Sequence, residues 1–333
     1  MATKLFDVHN HAQRQWAQVH GDRTRITLPQ TRCMCVMGTS PEDWAWVQSM
    51  VEQLSAPLST ATASMDHESH DSPPHLVPAF GVHPWRIERM LGDKDCAALH
   101  PVPASVVMTP PEIRAQLTTM SWYQRLAQLL DSHPHAIVGE IGLDKSARNR
   151  DTGSVYPFAA QTAVFRVQWE LAIAKQRPVS IHCVKAGSYL LQFIQTLAKD
   201  WQRVKKLHRA RPSSSSTAAA LRAHANTLLP PKIMLHSYSG SPDILRQLFQ
   251  LPVDIASRLY ASFSEAVNRR SPQLPERIHA VPLDRLLIET DENSLDDIDQ
   301  PMEAILHEVA KVRDLRPSEL APALFANACR FYF

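Results

Sequence analysis

Five times along this chain an apolar, β-rich run ends in a side chain able to bind a metal, and that recurrence limits the fold more than any other feature. The runs are Leu5-Phe6-Asp7-Val8-His9-Asn10-His11, Ala136 through Glu140 to Asp144, Pro178 to His182, Lys232 to His236, and Arg285 through Glu289 to Asp291. In an extended strand the side chains at i and i+2 share a face, so Asp7, His9 and His11 are expected to converge. Two neutral imidazoles on one face can grip a transition metal. Each run alone has an ordinary explanation, a hydrogen-bonded core histidine or a carboxylate capping the next helix. Their joint recurrence at strand ends is hard to obtain by chance.

Three further runs read as strands without ligands: Cys33 to Gly38, Leu76 to Gly81 and Arg258 to Phe263. Between the strands lie helical patterns over Pro41 to Leu54, Trp122 to Leu130, Phe158 to Lys175, Ser188 to Lys199 and Met302 to Val312, with apolar residues three and four apart. Eight strands alternating with helices predict an α/β fold, a (β/α)8 TIM barrel with inserted loops. Its active site belongs at the C-terminal ends of the strands, where His9, His11, Glu140, His182, His236 and Asp291 fall. A doubly wound open sheet would spread these side chains along a crevice, and no glycine-rich phosphate loop accompanies any strand.

The donor types themselves point to chemistry. Four imidazoles and two carboxylates exceed the roughly three protein ligands of one catalytic zinc, so two divalent ions sharing a bridging carboxylate are expected. Glu140 is the natural bridge, with His9, His11 and Asp291 on one ion and His182 and His236 on the other. A water between the ions would serve as nucleophile, and Asp291 would also relay a proton to the leaving group. Asp7 and Asp144 read as residues that orient the ligands. Glu289 reads equally as a ligand-orienting group and as a charge inside the barrel. No Gly-x-Ser-x-Gly elbow exists, and Cys183 and His182, as strand neighbours, point to opposite faces, so a Cys/His nucleophile pair is geometrically poor.

The series DVHNH, GVHPW, GEIGLD, PVSIHC, LHSYSGS and IETD resembles the TatD-related metal-dependent hydrolases, a branch of the amidohydrolase superfamily with barrel folds and deoxyribonuclease members. The motifs run in the family's order from Phe6 to Asp291, and the tail through Asn327 fits a closing helix. A carboxylate on the fourth strand favours this branch over relatives with a carboxylated lysine there. The resemblance implies the same division of ligands, and it makes His83 a group on the substrate side. The bland alternative for His83 is a ring packed on Trp85. The donor types suit zinc or manganese, and the family's nuclease members add magnesium.

Two positions depart from the family pattern. Val184 stands where an arginine is usual two residues beyond the fifth-strand histidine, which leaves phosphate recognition to Lys185. After Asp291 the chain continues through Glu292, Asp296 and Asp297, acidic residues expected to disfavour a polyanion. The expected function is therefore a TatD-like deoxyribonuclease cleaving DNA from an end. The same barrel acting on a small ester or amide is the first alternative, and a protein-binding scaffold with partner contacts on its inserted loops is the second.

The 333 residues with 44% hydrophobic content are expected to form one barrel unit, since such barrels routinely exceed roughly 250 residues. No apolar stretch approaches a membrane span, and the first strand begins at once, so an intracellular protein of cytoplasm or nucleus without a signal peptide is expected. Five cysteines without paired CxxC spacing fit a reducing compartment, with Cys33 and Cys35 inside the second strand. Flexible insertions are expected over 56–75, 86–111 and 205–225. The basic run from Arg203 to Arg211 reads as a solvated helix end rather than a phosphate track, and the net charge of +2 carries no polyanion signature. His67, His70 and His75 are expected to be solvent-exposed.

Overall fold

The computed structural model describes residues 4–19, 28–55, 73–149, 152–210 and 227–333. Eight parallel strands lie in sequence order: β1 (Leu5–Asn10), β2 (Thr31–Met37), β3 (His75–Phe80), β4 (Ile137–Asp144), β5 (Val179–Val184), β6 (Ile233–Leu235), β7 (Leu259–Ser264) and β8 (Leu286–Glu289). The first and last are joined beyond β8, where Asp291 N donates to His9 O at 3.0 Å and His11 N donates to Glu292 O at 2.7 Å. The fold is a (β/α)8 barrel, as the alternation of runs predicts.

The strands are nearly continuous hydrophobic runs because both of their faces are covered. Alternate residues divide between two buried clusters: Met34, Val36, Leu259, Ala261 and Phe263 meet the surrounding helices. Cys33, Cys35, Met37, Val77, Ala79, Met234, Tyr260 and Leu287 fill the inside. The last helix, Pro317–Tyr332, adds Phe331 and Tyr332 to that inner cluster. Its Asn327 donates from Nδ2 to the carbonyls of Leu283 and Leu286 at 2.7 and 2.8 Å, tying the helix to the start of β8. All five cysteines are free thiols, and Cys33 and Cys35 are buried in β2.

The helix Phe158–Ala174 is apolar on nearly all sides and almost wholly buried. Its polar exceptions clamp the strand ends. Gln161 accepts from Asp144 N at 2.7 Å and donates to Asp144 O at 2.9 Å, and Gln168 accepts from Val82 N at 2.7 Å. One helix thus sets the height at which β3 and β4 deliver His83 and Asp144.

Two expectations about the insertions change. Residues 86–111, read as a flexible insertion, hold two short helices, Ile87–Leu91 and Asp93–Ala98, and bury Leu91, Cys96, Leu99, Val102 and Ala104. The charges that gave the segment a loop-like composition, such as Arg89, Lys94 and Asp95, lie on its exposed side. His75, read as exposed, begins β3 and is buried, its ring 5.9 Å from that of Phe333. The remaining insertion residues 56–72 and 211–225, with His67 and His70, lie outside the described residues. The helix Gly187–Ala210 runs through the basic segment, where Lys205 pairs with Asp254 at 2.8 Å. No helix among the described residues is long and apolar enough to cross a membrane.

Candidate metal centre

The six donors expected at the strand ends meet around one carboxylate. Glu140 Oε2 lies 3.3 Å from His11 Nε2 and 3.6 Å from His9 Nε2, and both of those nitrogens lie 3.6–3.7 Å from Asp291 Oδ1. Glu140 Oε1 lies 2.7 Å from His236 Nε2, 3.0 Å from His182 Nδ1 and 3.1 Å from His83 Nε2. Each oxygen of Glu140 therefore faces a different set of nitrogens. The triads His9, His11, Asp291 and His83, Glu140, His182 each bring their donor atoms within 4.8 Å of one another, as do His9, His236 and Glu289.

Local backbone irregularities bring this about. The register of β1 on β2 shifts between Asp7 and Asn10, and that of β4 on β5 shifts between Val138 and Ile141. Such bulges re-aim side chains, and they fall at His9 and Glu140. Asp291 and Ser237 follow β8 and β6 with φ of 58° and 38°, left-handed turns that leave the strand direction at once. Gly142 has a φ of 153°, and a Cβ there would lie 2.0 Å from the carbonyl oxygen of His182. Only glycine allows β4 and β5 to approach so closely.

Hydrogen bonds on the outer ring nitrogens distinguish the histidines. His11 Nδ1 meets Met37 O at 3.1 Å, His9 Nδ1 meets Ser180 Oγ at 3.1 Å, His236 Nδ1 meets Glu289 Oε1 at 3.3 Å and His182 Nε2 meets Asp144 Oδ2 at 3.2 Å. Each of these four partners can accept, so the outer nitrogen carries the proton and the inner one keeps its lone pair for an ion. His83 is the exception, because its Nδ1 accepts from Trp85 N at 3.1 Å. The proton then resides on Nε2, which makes His83 a donor toward Glu140 rather than a metal ligand. It also packs edge-on against Trp85 at 4.9 Å, so the two readings of His83 coexist.

The electrostatics fit bound cations. Burial alone would raise the Glu140 carboxyl, but the charges of His83 and His236 and hydrogen bonds from His11 and His182 outweigh it and hold it well below the usual range. Burial would likewise lower His236, yet Glu140 and Glu289 push it well above the ordinary imidazole value. The space between these groups calls for positive charge, whether a proton or an ion. His9 is driven the other way by burial and by the charge of His236, and its Nε2 is a buried atom with no hydrogen-bond partner. An inward lone pair left without a partner at the meeting point of a carboxylate cluster is what a metal ligand looks like before its ion is added.

The outer residues take different parts. Asp144 orients His182 and is itself held by Trp85 Nε1 at 2.8 Å and Ser146 N at 2.7 Å. Asp7 does not reach either imidazole ring. It accepts from Thr290 N at 2.9 Å and Thr290 Oγ1 at 2.8 Å, fixing the end of β8 beside Asp291, and burial lifts its pKa to about 7. Glu289 combines both of its readings: it lies inside the barrel, accepting from Ser262 Oγ and Ser237 Oγ at 2.6 Å each, and it anchors His236.

The centre opens into a mouth of about 220 Å³ whose lining includes Arg14, His83, Trp85, Arg86, Val184 and Asn293. Lys185, read as a stand-in for the family's arginine, is exposed and outside that lining. The acidic stretch after Asp291 also turns away: the loop lines the mouth with Asp291 and Asn293, while Asp296 accepts from Gln15 Nε2 at 2.5 Å. Sequence reasoning missed Arg14 and Arg86, because nothing in their local pattern marks them as neighbours of the strand ends.

A parallel barrel with these donors at its strand ends has the amidohydrolase-like fold. Over residues 6–333 the chain matches the TatD related DNase family, and it belongs to that family. A relative, the Cut9-interacting protein scn1 of Schizosaccharomyces pombe, is 28% identical over 335 residues, spanning 90% of each chain. The 3'-5' RNA nuclease TATDN2 of Homo sapiens is 26% identical over 216 residues, 60% of this chain and 23% of that protein. Among solved structures, an uncharacterized amidohydrolase from Saccharomyces cerevisiae superposes with a TM-score of 0.63 at 16% identity, covering 99% of this chain and all of that one. YJJV, a TatD homolog from Escherichia coli K12, gives 0.61 at 17% identity, covering 100% of this chain and 99% of that one. These two likenesses show the fold.

Proposed function

We propose that the chain is a divalent-metal-dependent nuclease that hydrolyses phosphodiester bonds in DNA from an end. The observation that carries this reading is the division of Glu140, one oxygen turned to His9 and His11, which Asp291 also faces, and the other to His182, His236 and His83. His9, His11, Asp291, His182 and His236 would hold two ions with Glu140 between them. When bound, the ions supply a hydroxide near neutral pH and offset charge on the attacked phosphoryl group.

The chain's own groups provide the rest. The hydrogen bonds of Met37, Ser180, Glu289 and Asp144 hold four imidazoles in the tautomer that leaves the inner nitrogen free. His83 points its one N–H at Glu140 Oε1, 3.1 Å away, and would turn it to a phosphoryl oxygen once ions hold that carboxylate. Asp291, at the mouth with 15% of its side chain exposed, accepts the proton of the attacking water and passes it to the leaving oxygen.

The test is incubation of end-labelled single-stranded DNA, and RNA of matching sequence, with protein loaded in turn with manganese, zinc and magnesium. Progressive shortening from one end is expected, with Asp291→Asn slower by at least about a hundredfold. A fully metal-loaded protein that leaves both strands intact would remove the nuclease reading, and hydrolysis of small esters alone would replace it with the ester or amide alternative. The scn1 relative is named for an interaction with Cut9, which keeps a docking role for this barrel as a second reading. Purified protein without divalent metal would favour it.

A further inference from the structure

Val184 gives the mouth no charge, and two guanidinium groups line it as well. Arg14, from the short helix after β1, donates to Asn293 Oδ1 at 2.9 Å. Arg86 comes from the turn after β3, beside Trp85, which is 45% exposed. Both line the mouth, and among the described residues neither forms a salt bridge with a carboxylate. Partial burial and the positive charge of Arg86 lower the pKa of Arg14 against the pull of Asp43, Glu140 and Asp291, so the two cations stand close enough to act on each other. Such a pair is relieved by an anion between its members.

Arg86 also lines a second depression, of about 430 Å³, together with Arg89, Ser121 and Arg125. Arg86 thus borders both hollows. Arg89 is occupied there by Glu42 at 3.2 Å, an exposed pair worth little, whereas Arg125 is exposed and appears in no salt bridge among the described residues. Positive side chains therefore run from the metal centre outward over the β3 side of the mouth. The net charge of +2 hides this, because the track is local.

We propose that Arg14, Arg86 and Arg125 form a phosphate track along which a single-stranded nucleic acid reaches the centre, with Arg14 and Arg86 taking the phosphate next to the scissile bond. The proposal rests on the nuclease reading and assigns it a specific binding path. An exposed indole beside Arg86 suits it further, since bases stack on aromatic faces whatever their sequence.

The experiment measures binding rather than turnover: fluorescence anisotropy of a labelled single-stranded phosphorothioate oligonucleotide on the metal-loaded protein across a salt series. Arg14→Ala, Arg86→Ala and Arg125→Ala are each expected to weaken binding several-fold and to flatten the dependence of log affinity on log salt by about 0.7, the value of one lost single-strand phosphate contact. Arg86→Lys should recover much of the salt slope. Arg316→Ala, at the start of the last helix and paired with Glu319, should change neither quantity. Variants that cleave nucleic acid yet bind with wild-type affinity and slope overturn the track alone. A wild-type protein that neither binds nor cleaves overturns the track and the nuclease reading together.

Discussion

At the scale of single residues, function depends on where protons sit. Asp144 is the acceptor that turns His182 Nδ1 inward, and it is fixed by Trp85 and Ser146. Asp144→Asn should lower metal affinity by about tenfold to a hundredfold, read by titration with a competing chelator, because an amide that presents its N–H to the ring selects the wrong tautomer. Cys183 lines the mouth, but burial pushes its thiol up to about 12. A thiol with a raised pKa stays protonated below that value, so at pH 8 the thiolate is on the order of one part in ten thousand. Iodoacetamide should label Cys183 negligibly at pH 8 and progressively faster as pH rises toward its pKa, as mass spectrometry would show. Rapid labelling at pH 8 would mean that this strand end is far more open than described.

At the scale of elements, the strand ends set the geometry of the centre. The close contact of Gly142 with His182 O predicts that Gly142→Ala forces β4 and β5 apart, at a cost on the order of 1–3 kcal/mol or more. The expected result is a lower melting temperature together with weaker metal binding, since the displaced residue is one of the proposed ligands. The sequence made this architecture legible because each ligand sits at the end of an apolar run, and a barrel collects strand ends at one face. It did not show how His9 and Glu140 turn inward, because strict alternation ignores the two register shifts beside them. Asp7 illustrates the limit: spacing placed it with the histidines, and it does accept from His9 N and Asn10 Nδ2, but nothing local shows its tie to Thr290, 283 residues away. The segment 86–111 was misread for a related reason, as its buried apolar residues are spaced for no regular face and its charges dominate the composition.

At the scale of the whole molecule, the barrel is a frame that spends stability on a crowded polar centre. Glu140, His9, His236 and Glu289 are all buried, so an ion that binds only the folded state should offset their mutual strain. Divalent metal at about a hundred times its dissociation constant should add about 2.7 kcal/mol. In calorimetry this would appear as a melting temperature raised by several degrees and lowered again by chelator, and an unchanged melting curve would argue against a preformed site. Whether Glu140 is shared between two ions would be seen by anomalous diffraction from crystals grown with manganese. Two anomalous peaks are expected, one among His9, His11 and Asp291 and the other against His182 and His236, on opposite oxygens of Glu140. A single peak, or peaks that leave Glu140 unbound, would contradict that sharing.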